Sequence, residues 1–267
     1  MELGTEAQGL RASRRNVVRG AAWSVPVIAV ATAAPAFAAS PCVNRSVVVS
    51  TSTAATTAPA QGYTRTSNTA ASWRTADPDG AGTVYSAANI AVTATKLGQL
   101  EYGFNTATNN LIPYATGGVT GISINQRPTA TTSPRGYAQR SETTFNFQRL
   151  VYNLSFTIAD ISKSGSATGT SAFWDAVWVE SDGTWSVTTR DIDVVGGGTS
   201  SMDPLTPRNN APDVGDTDPN NVTLTFTTRC TYVKLYYWSA TKATSSGGGQ
   251  GITISNMSMQ LAPDGCV

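Results

Sequence analysis

Apolar and polar residues alternate along most of the chain with a period of two. Apolar positions separated by one residue occur at Leu154, Phe156 and Ile158, at Val222, Leu224 and Phe226, and at Val233, Leu235 and Tyr237. A strand buried on one face requires this alternation. No segment of ten or more residues has the 3.6-residue periodicity of an amphipathic helix. With Gly-, Asn- and Asp-rich turns between the segments, the sequence predicts an all-β fold, an antiparallel β-sandwich of jelly-roll type.

The same reading predicts further strands near residues 47–51, 84–95, 119–125, 143–148, 172–180 and 184–189. In the last segment the apolar positions run Ile252, Ile254, Met257, Met259 and Leu261, so the alternation slips by one residue near Ser255. A β-bulge would keep all five side chains facing the core. Alternatively, one strand ends there and another begins. Residues 127–135, rich in Pro, Ser and Thr, are the best candidate for a linker but are short enough to be a loop.

The first 38 residues have the features of an export signal. The basic stretch SRRNVVR contains Arg14 and Arg15, an uncharged segment follows over residues 20–34, and Ala36-Phe37-Ala38 fits a small-x-small cleavage site. About fifteen apolar residues interrupted by Pro26 are fewer than the roughly 20 that span a bilayer. We expect residues 1–38 to be a twin-arginine-type signal peptide and residues 39–267 to be one secreted β-sandwich domain, extracellular or associated with the cell envelope, with no membrane span.

Composition excludes several classes of function. The chain has 18 Lys and Arg, 17 Asp and Glu, and no His. Without imidazole there is no Ser-His-Asp or Cys-His catalysis and no His-bearing metal site. The near-zero net charge gives no electrostatic surface for nucleic acid. Glycosidases need only two carboxylates, and Asp160 and Asp175 could form such a pair, but each is more simply a turn or edge residue. We therefore expect no catalytic residues.

The three cysteines are expected to form one disulfide if the chain is exported. Cys42 precedes the first predicted strand and Cys266 follows the last, and the termini of a sandwich are often close together. We favour a Cys42–Cys266 bridge with Cys230 free, and a Cys230–Cys266 bridge is the alternative.

Acidic residues at Asp203, Asp213, Asp216 and Asp218 cluster in a Pro- and Asn-rich region. Their oxygen atoms suit Ca²⁺, and Asp213, Asp216 and Asp218 are the candidate ligands. The spacing matches no calcium loop, and exposed turns have the same composition. We interpret the region as a turn, keep calcium as the alternative, and expect no other cofactor.

The aromatic residues near position 235 give the main indication of function. If Val233, Leu235 and Tyr237 face the core, then Tyr232, Lys234, Tyr236 and Trp238 share the opposite face. Trp174 and Trp178 share a face of another predicted strand. Exposed rings of this kind bind glycans or protein surfaces. Burial of the same rings beneath a loop is the structural alternative.

Three motifs resemble a β-sandwich module of secreted and surface-anchored actinobacterial proteins. They are LSFTIADI at residues 154–161, FWDAVWV at 173–179 and GITISNMSM at 251–259. Ser162 departs from the second acid of the family's DID pattern. The resemblance implies a surface location and a non-enzymatic role. We expect an adhesive module that binds an extracellular glycan or protein; the alternatives are a purely structural envelope protein and a glycoside-active enzyme.

Overall fold

The computed structural model describes residues 42–51, 62–80, 84–103, 109–116, 118–129, 136–164, 173–208, 220–240 and 249–266. These residues contain seventeen β-strands and no helix. The strands are β1 (Arg45–Val49), β2 (Gly62–Arg65), β3 (Ala70–Arg74), β4 (Asn89–Lys96), β5 (Leu100–Tyr102), β6 (Ile112–Thr116), β7 (Val119–Pro128), β8 (Arg140–Ala159), β9 (Lys163–Ser164), β10 (Phe173–Ser181), β11 (Trp185–Arg190), β12 (Val194–Val195), β13 (Thr206–Pro207), β14 (Val222–Phe226), β15 (Cys230–Ser239), β16 (Gln250–Ser255) and β17 (Met257–Leu261).

Fifteen of these strands form two antiparallel sheets that share β8, which we call the first and second sheets, and β12 and β13 pair as a separate two-stranded sheet. In the second sheet the order is β2-β3-β4-β8-β15-β10-β9. In the first sheet β8 lies between β14 on one side and β16 with β17 on the other; β14 continues to β11, β17 to β1, and β16 to β7 with β5 and β6. The predicted all-β, antiparallel fold is confirmed. Its jelly-roll connectivity stays a prediction.

Strand β8 is long because its two parts belong to different sheets. Its N-terminal part pairs with β4 and β15, and its C-terminal part pairs with β14, β16 and β17. Between the two parts, Gln148 and Asn153 have positive φ angles of 56° and 48°. Such angles are rare outside glycine, although asparagine tolerates them. They mark the place where the strand leaves one sheet and enters the other, and where its buried positions change phase.

One hydrophobic core lies between the sheets. Phe145, Val92 and Leu235 from the second sheet and Ile122 and Ile254 from the first belong to the same buried cluster. The inward-facing positions of both sheets therefore remove their apolar surface from water against each other, which is the main source of stability in a sandwich.

The slip in the last predicted segment is a change of strand. β16 ends at Ser255 and pairs with β7, whereas β17 begins at Met257 and pairs with β1. The second alternative from the sequence is therefore the correct one. The predicted linker near residue 127 begins as the end of β7, and residues 130–135 lie outside the described residues.

Cys42 and Cys266 are disulfide-bonded, and Cys230 is free and buried. The favoured pairing is confirmed. The chain divides into residues 1–42 and a compact unit, Val43–Val267. The predicted signal peptide lies outside the described residues, so its cleavage site stays a prediction. Among the described residues, no helix is long and apolar enough to cross a membrane.

Candidate functional site

The predicted aromatic row lies on the outer face of the second sheet, away from the core. Tyr236 of β15 is opposite Trp178 of β10 on one side and Glu142 of β8 on the other. Directly opposite residues in an antiparallel ladder share a face. We call the surface formed by Tyr137, Trp178, Tyr232, Lys234, Tyr236 and Trp238 the aromatic surface. Four of these residues, Tyr137, Trp178, Tyr236 and Trp238, form a hydrophobic cluster with Ala176 that is separate from the main core.

The rings of the aromatic surface pack against one another. Trp178 and Tyr236 stack with centroids 4.1 Å apart and planes inclined by 12°. Tyr137 meets the Trp238 ring edge-on at 5.2 Å. Because Trp178 and Tyr236 stand on neighbouring strands and stack, each ring covers one face of the other. Those two ring faces are not available to stack on a sugar.

Charged groups surround the rings in a connected network. Glu142 accepts contacts from Arg140 Nη2 and Lys234 Nζ, each at 2.7 Å. Burial alone would raise the pKa of Glu142, but hydrogen bonds from Lys234 and Arg140 outweigh burial and lower it. Lys234 Nζ also lies 4.7 Å from the centroid of Tyr236, within cation–π range. The network holds Lys234 charged beside the buried ring of Tyr236.

A second carboxylate connects the tyrosines. Glu180 accepts hydrogen bonds from the hydroxyl of Tyr232 at 3.2 Å and from that of Tyr236 at 2.7 Å. Burial, followed by the neighbouring Glu180, raises the pKa of Tyr232 above its ordinary value, so its hydroxyl keeps its proton. These hydrogen bonds fix the rings of Tyr232 and Tyr236 and leave their hydroxyl groups and the carboxylate of Glu180 at the surface.

The expected face is therefore confirmed, but the expected exposure holds for only part of the row. Tyr232 and Lys234 are half-buried, whereas Tyr236 is 7% and Trp238 is 3% exposed. Trp238 is covered by Tyr137, a residue that the alternation of β15 gave no reason to include. An open platform that includes Trp238 is not what the chain forms.

The candidate carboxylate pair is divided between core and surface. Asp175 has no exposed area, so its interpretation as a turn or edge residue was wrong. Asp160 is half-buried just after β8, with φ of 66°, as expected for a turn residue. Asp175 accepts hydrogen bonds from the hydroxyl of Tyr237 at 2.6 Å and the backbone N–H of Ser162 at 2.9 Å.

A site that the sequence did not reveal lies on the outer face of the first sheet. We call it the polar cleft; its volume is about 230 Å³. Its floor consists of Ser123 and Asn125 of β7 and Gly251 and Thr253 of β16. Ser123 is directly opposite Thr253, and Asn125 is directly opposite Gly251. All three polar side chains of the floor are buried, although they face away from the core.

The walls of the polar cleft combine an apolar and a charged side. Ile112 and Tyr114 of β6 form one wall. Asp160 and Asn109 complete the lining. Burial raises the pKa of Asp160, and a side-chain hydrogen bond from Ser162 offsets this only partly. The polar floor residues alternate with core-facing Ile122 and Ile124, and this was the only signal of the site in the sequence.

The remaining candidates fall largely outside the described residues. Asp213, Asp216 and Asp218 are among them, so the calcium alternative stays a prediction. Within the described ranges, no three His, Cys, Asp or Glu side chains are grouped so as to hold a metal ion. Burial, followed by the charge of Asp182, raises the pKa of the free Cys230 to about 12, so its thiol is protonated near neutral pH.

By its fold, the chain is an all-β, antiparallel protein with a disulfide, and it has two candidate sites on its surface. No protein-family model, no curated protein and no solved structure matches the chain. The three motifs that resemble actinobacterial modules lie on β8, β10 and β16–β17, where their alternate apolar residues face the core. The resemblance itself stays a prediction.

Proposed function

We propose that this protein is a secreted, non-catalytic adhesive module of the cell envelope that binds a protein partner through the aromatic surface. The observation that carries the proposal is the row of half-buried Trp178, Tyr232 and Lys234 beside Glu180 on the outer face of the second sheet. Trp, Tyr and cationic side chains held rigid by their neighbours are typical of protein-binding hot spots, since little side-chain entropy is lost on binding.

The geometry of the rings favours a protein partner over a polysaccharide. Trp178 and Tyr236 cover one face of each other, and the carboxylate of Glu180 beside them accepts hydrogen bonds from the hydroxyls of Tyr232 and Tyr236. Aromatic rings interspersed with hydrogen-bond donors and acceptors match the backbone and side-chain groups of a protein surface. Sugar stacking would instead need an open ring face.

Secretion and the absence of catalysis are parts of the same proposal. The disulfide between Cys42 and Cys266 supports an oxidising compartment, because such bonds are rare in the cytosol. The complete burial of Asp175 supports a non-enzymatic role, since the described lining of the polar cleft then holds one carboxylate, Asp160. Glycoside hydrolysis requires two carboxylates that reach the substrate.

A purely structural envelope role is the second candidate, and the burial of Tyr236 and Trp238 favours it. In that case the aromatic surface would stabilise the second sheet and bind nothing.

Binding to intact cells of the producing organism tests the proposal. Fluorescently labelled protein should bind untreated cells and should lose binding after their surface proteins are removed by protease. Lys234→Glu, which replaces the cation of the aromatic surface with an anion, should weaken binding at least about tenfold, in the range of hot-spot substitutions. The control is Val48→Ala, an exposed site on the first sheet. Binding that survives protease but is lost after polysaccharide removal would indicate a glycan partner. No binding at all would favour the structural role.

A further inference from the structure

We propose that the polar cleft is a second binding site, for one pyranose ring of a neutral saccharide. It lies on the outer face of the first sheet and shares no residue with the aromatic surface. The two proposals therefore stand or fall separately.

The amide of Asn125 is held in place with hydrogen-bonding capacity to spare. Its Oδ1 accepts from the hydroxyl of Ser123 at 2.6 Å, and its Nδ2 donates to the backbone carbonyl of Asn109 at 3.1 Å. A primary amide has two acceptor lone pairs and two N–H donors. Within the described residues, one donor and one acceptor are left for a ligand, and a sugar hydroxyl, which both donates and accepts, matches that pair.

Gly251 makes the room that this amide occupies. A Cβ atom at position 251 would lie 2.2 Å from Oδ1 of Asn125, far inside van der Waals contact. Any side chain at position 251 would therefore displace Asn125 across the floor of the cleft. The floor is built around this amide.

Asp160 supplies a carboxylate that water solvates incompletely. Its raised pKa reflects burial, and its half-buried position leaves it reachable from the cleft. A carboxylate in this condition gains from new hydrogen-bond donors, and two adjacent hydroxyl groups of a sugar ring can donate to its two oxygens. Hydrogen bonds to a charged acceptor are roughly twice as strong as neutral ones.

The opposite wall suits the C–H face of the ring. Tyr114 is 50% exposed and stands beside Ile112 on the same edge of the cleft. An exposed tyrosine next to a hydrogen-bonding floor gives apolar contact on one side of a ligand and polar contact on the other. A saccharide ring has this division of surface.

Size and charge argue against drug-sized, anionic and purely apolar ligands. At about 230 Å³ the cleft is below the roughly 300–1,000 Å³ of sites for drug-sized ligands, so it takes a single small ring. Asp160 repels anions. The buried polar floor of Ser123, Asn125 and Thr253 would lose hydrogen bonds to water beneath a purely apolar ligand. A neutral, polyhydroxylated ring satisfies all three conditions.

Saturation-transfer NMR of the full chain with the methyl pyranosides of glucose, mannose, galactose and N-acetylglucosamine tests the proposal. At least one glycoside should receive magnetisation on its ring protons. Asp160→Asn should weaken that binding at least about tenfold; asparagine tolerates the positive φ at this position, so the backbone should be retained. Tyr114→Ala should also reduce the transfer, whereas Tyr232→Ala, a tyrosine of the aromatic surface, should leave it unchanged.

Three outcomes would overturn the saccharide assignment. The first is absence of magnetisation transfer to every glycoside in the set. The second is binding that neither Asp160→Asn nor Tyr114→Ala alters. The third is preferential binding of a simple alkylamine, which would show that the carboxylate alone selects the ligand. Each outcome leaves the role of the aromatic surface untouched, because Lys234→Glu, the variant that tests that surface in the cell-binding experiment, lies on the other sheet.

Discussion

The hydroxyl of Tyr237 donates a 2.6 Å hydrogen bond to Oδ1 of Asp175, and neither residue has any exposed area. The backbone N–H of Ser162 donates to the other carboxylate oxygen. The core of the second sheet therefore contains an acid with a donor on each oxygen. Burial, the largest effect, nevertheless raises the pKa of Asp175 well above 3.8, and nearby Asp160 adds to the increase.

This pair makes stability depend on pH in a defined direction. Because the folded state raises the pKa of Asp175, it binds the proton more tightly than the unfolded chain does. The stabilisation is complete below about pH 4, near the unfolded pKa, and is lost as pH rises through the folded pKa. Urea unfolding of the wild type and Asp175→Asn from pH 4 to 7 should show a free energy of unfolding that falls more steeply with pH in the wild type. Parallel curves would contradict this.

Tyr237→Phe tests the same relationship from the other side. The hydroxyl lowers the pKa of Asp175, so its removal should raise that pKa further and move the loss of stability to higher pH. A downward shift would show that the hydrogen bond favours the protonated acid.

Trp238 should behave as a packing residue. Because its ring is 3% exposed, Trp238→Ala should cost about 3–5 kcal/mol of unfolding free energy. Lys234→Ala should cost less than about 1 kcal/mol, since its ion pair with Glu142 reaches solvent and Arg140 still binds Glu142. Thermal unfolding of both variants measures the contrast, and equal small shifts would mean that the Trp238 ring is accessible.

The disulfide can be checked chemically. Peptide mapping of the non-reduced protein should find Cys42 linked to Cys266, and Cys230 should react with alkylating reagent only after unfolding because it is buried and its pKa is raised. Reduction should destabilise the fold by up to roughly 5 kcal/mol, the chain-entropy value for so long a loop. A Cys230–Cys266 peptide would overturn the pairing.

Gly251→Ala should both destabilise the first sheet and close the polar cleft. The added Cβ collides with Oδ1 of Asn125, and overpacking of this kind costs about 1–3 kcal/mol. Adding Asn125→Ala removes the colliding group, so the double variant should regain part of that loss in urea unfolding. If the two effects simply add, the collision is not the cause.

For the strands that it identified, the alternation of apolar residues predicted which face is buried, because that property is local. It predicted the core positions of β14, β15 and β17 in this way. It could not predict that residues near 145 and near 156 belong to one strand, β8, since the change of phase between Gln148 and Asn153 looks the same in sequence as a loop. Strand pairing depends on contacts between residues that are distant in the sequence, so the alternation could not predict it.

The same distinction separates the two sites. Tyr232, Lys234, Tyr236 and Trp238 lie on one strand, so their common face followed from the sequence. The burial of Tyr236 and Trp238 depended on contact with Tyr137, which lies about a hundred residues earlier in the chain. The polar cleft combines β6, β7, β16 and the end of β8. Nothing in the sequence places Asp160 and Asn125 in the same cleft, because that arrangement arises only from the order of strands in the first sheet.

A side-by-side titration of intact cells with the wild type, Tyr232→Ala and Val48→Ala tests the central claim most directly. The two variants each truncate one side chain on the outer face of a different sheet, and Val48 belongs to neither proposed site. We expect Tyr232→Ala to raise the half-saturating concentration at least about tenfold and Val48→Ala to leave it unchanged. Equal binding by all three proteins would contradict the claim that the aromatic surface is where this protein binds its partner.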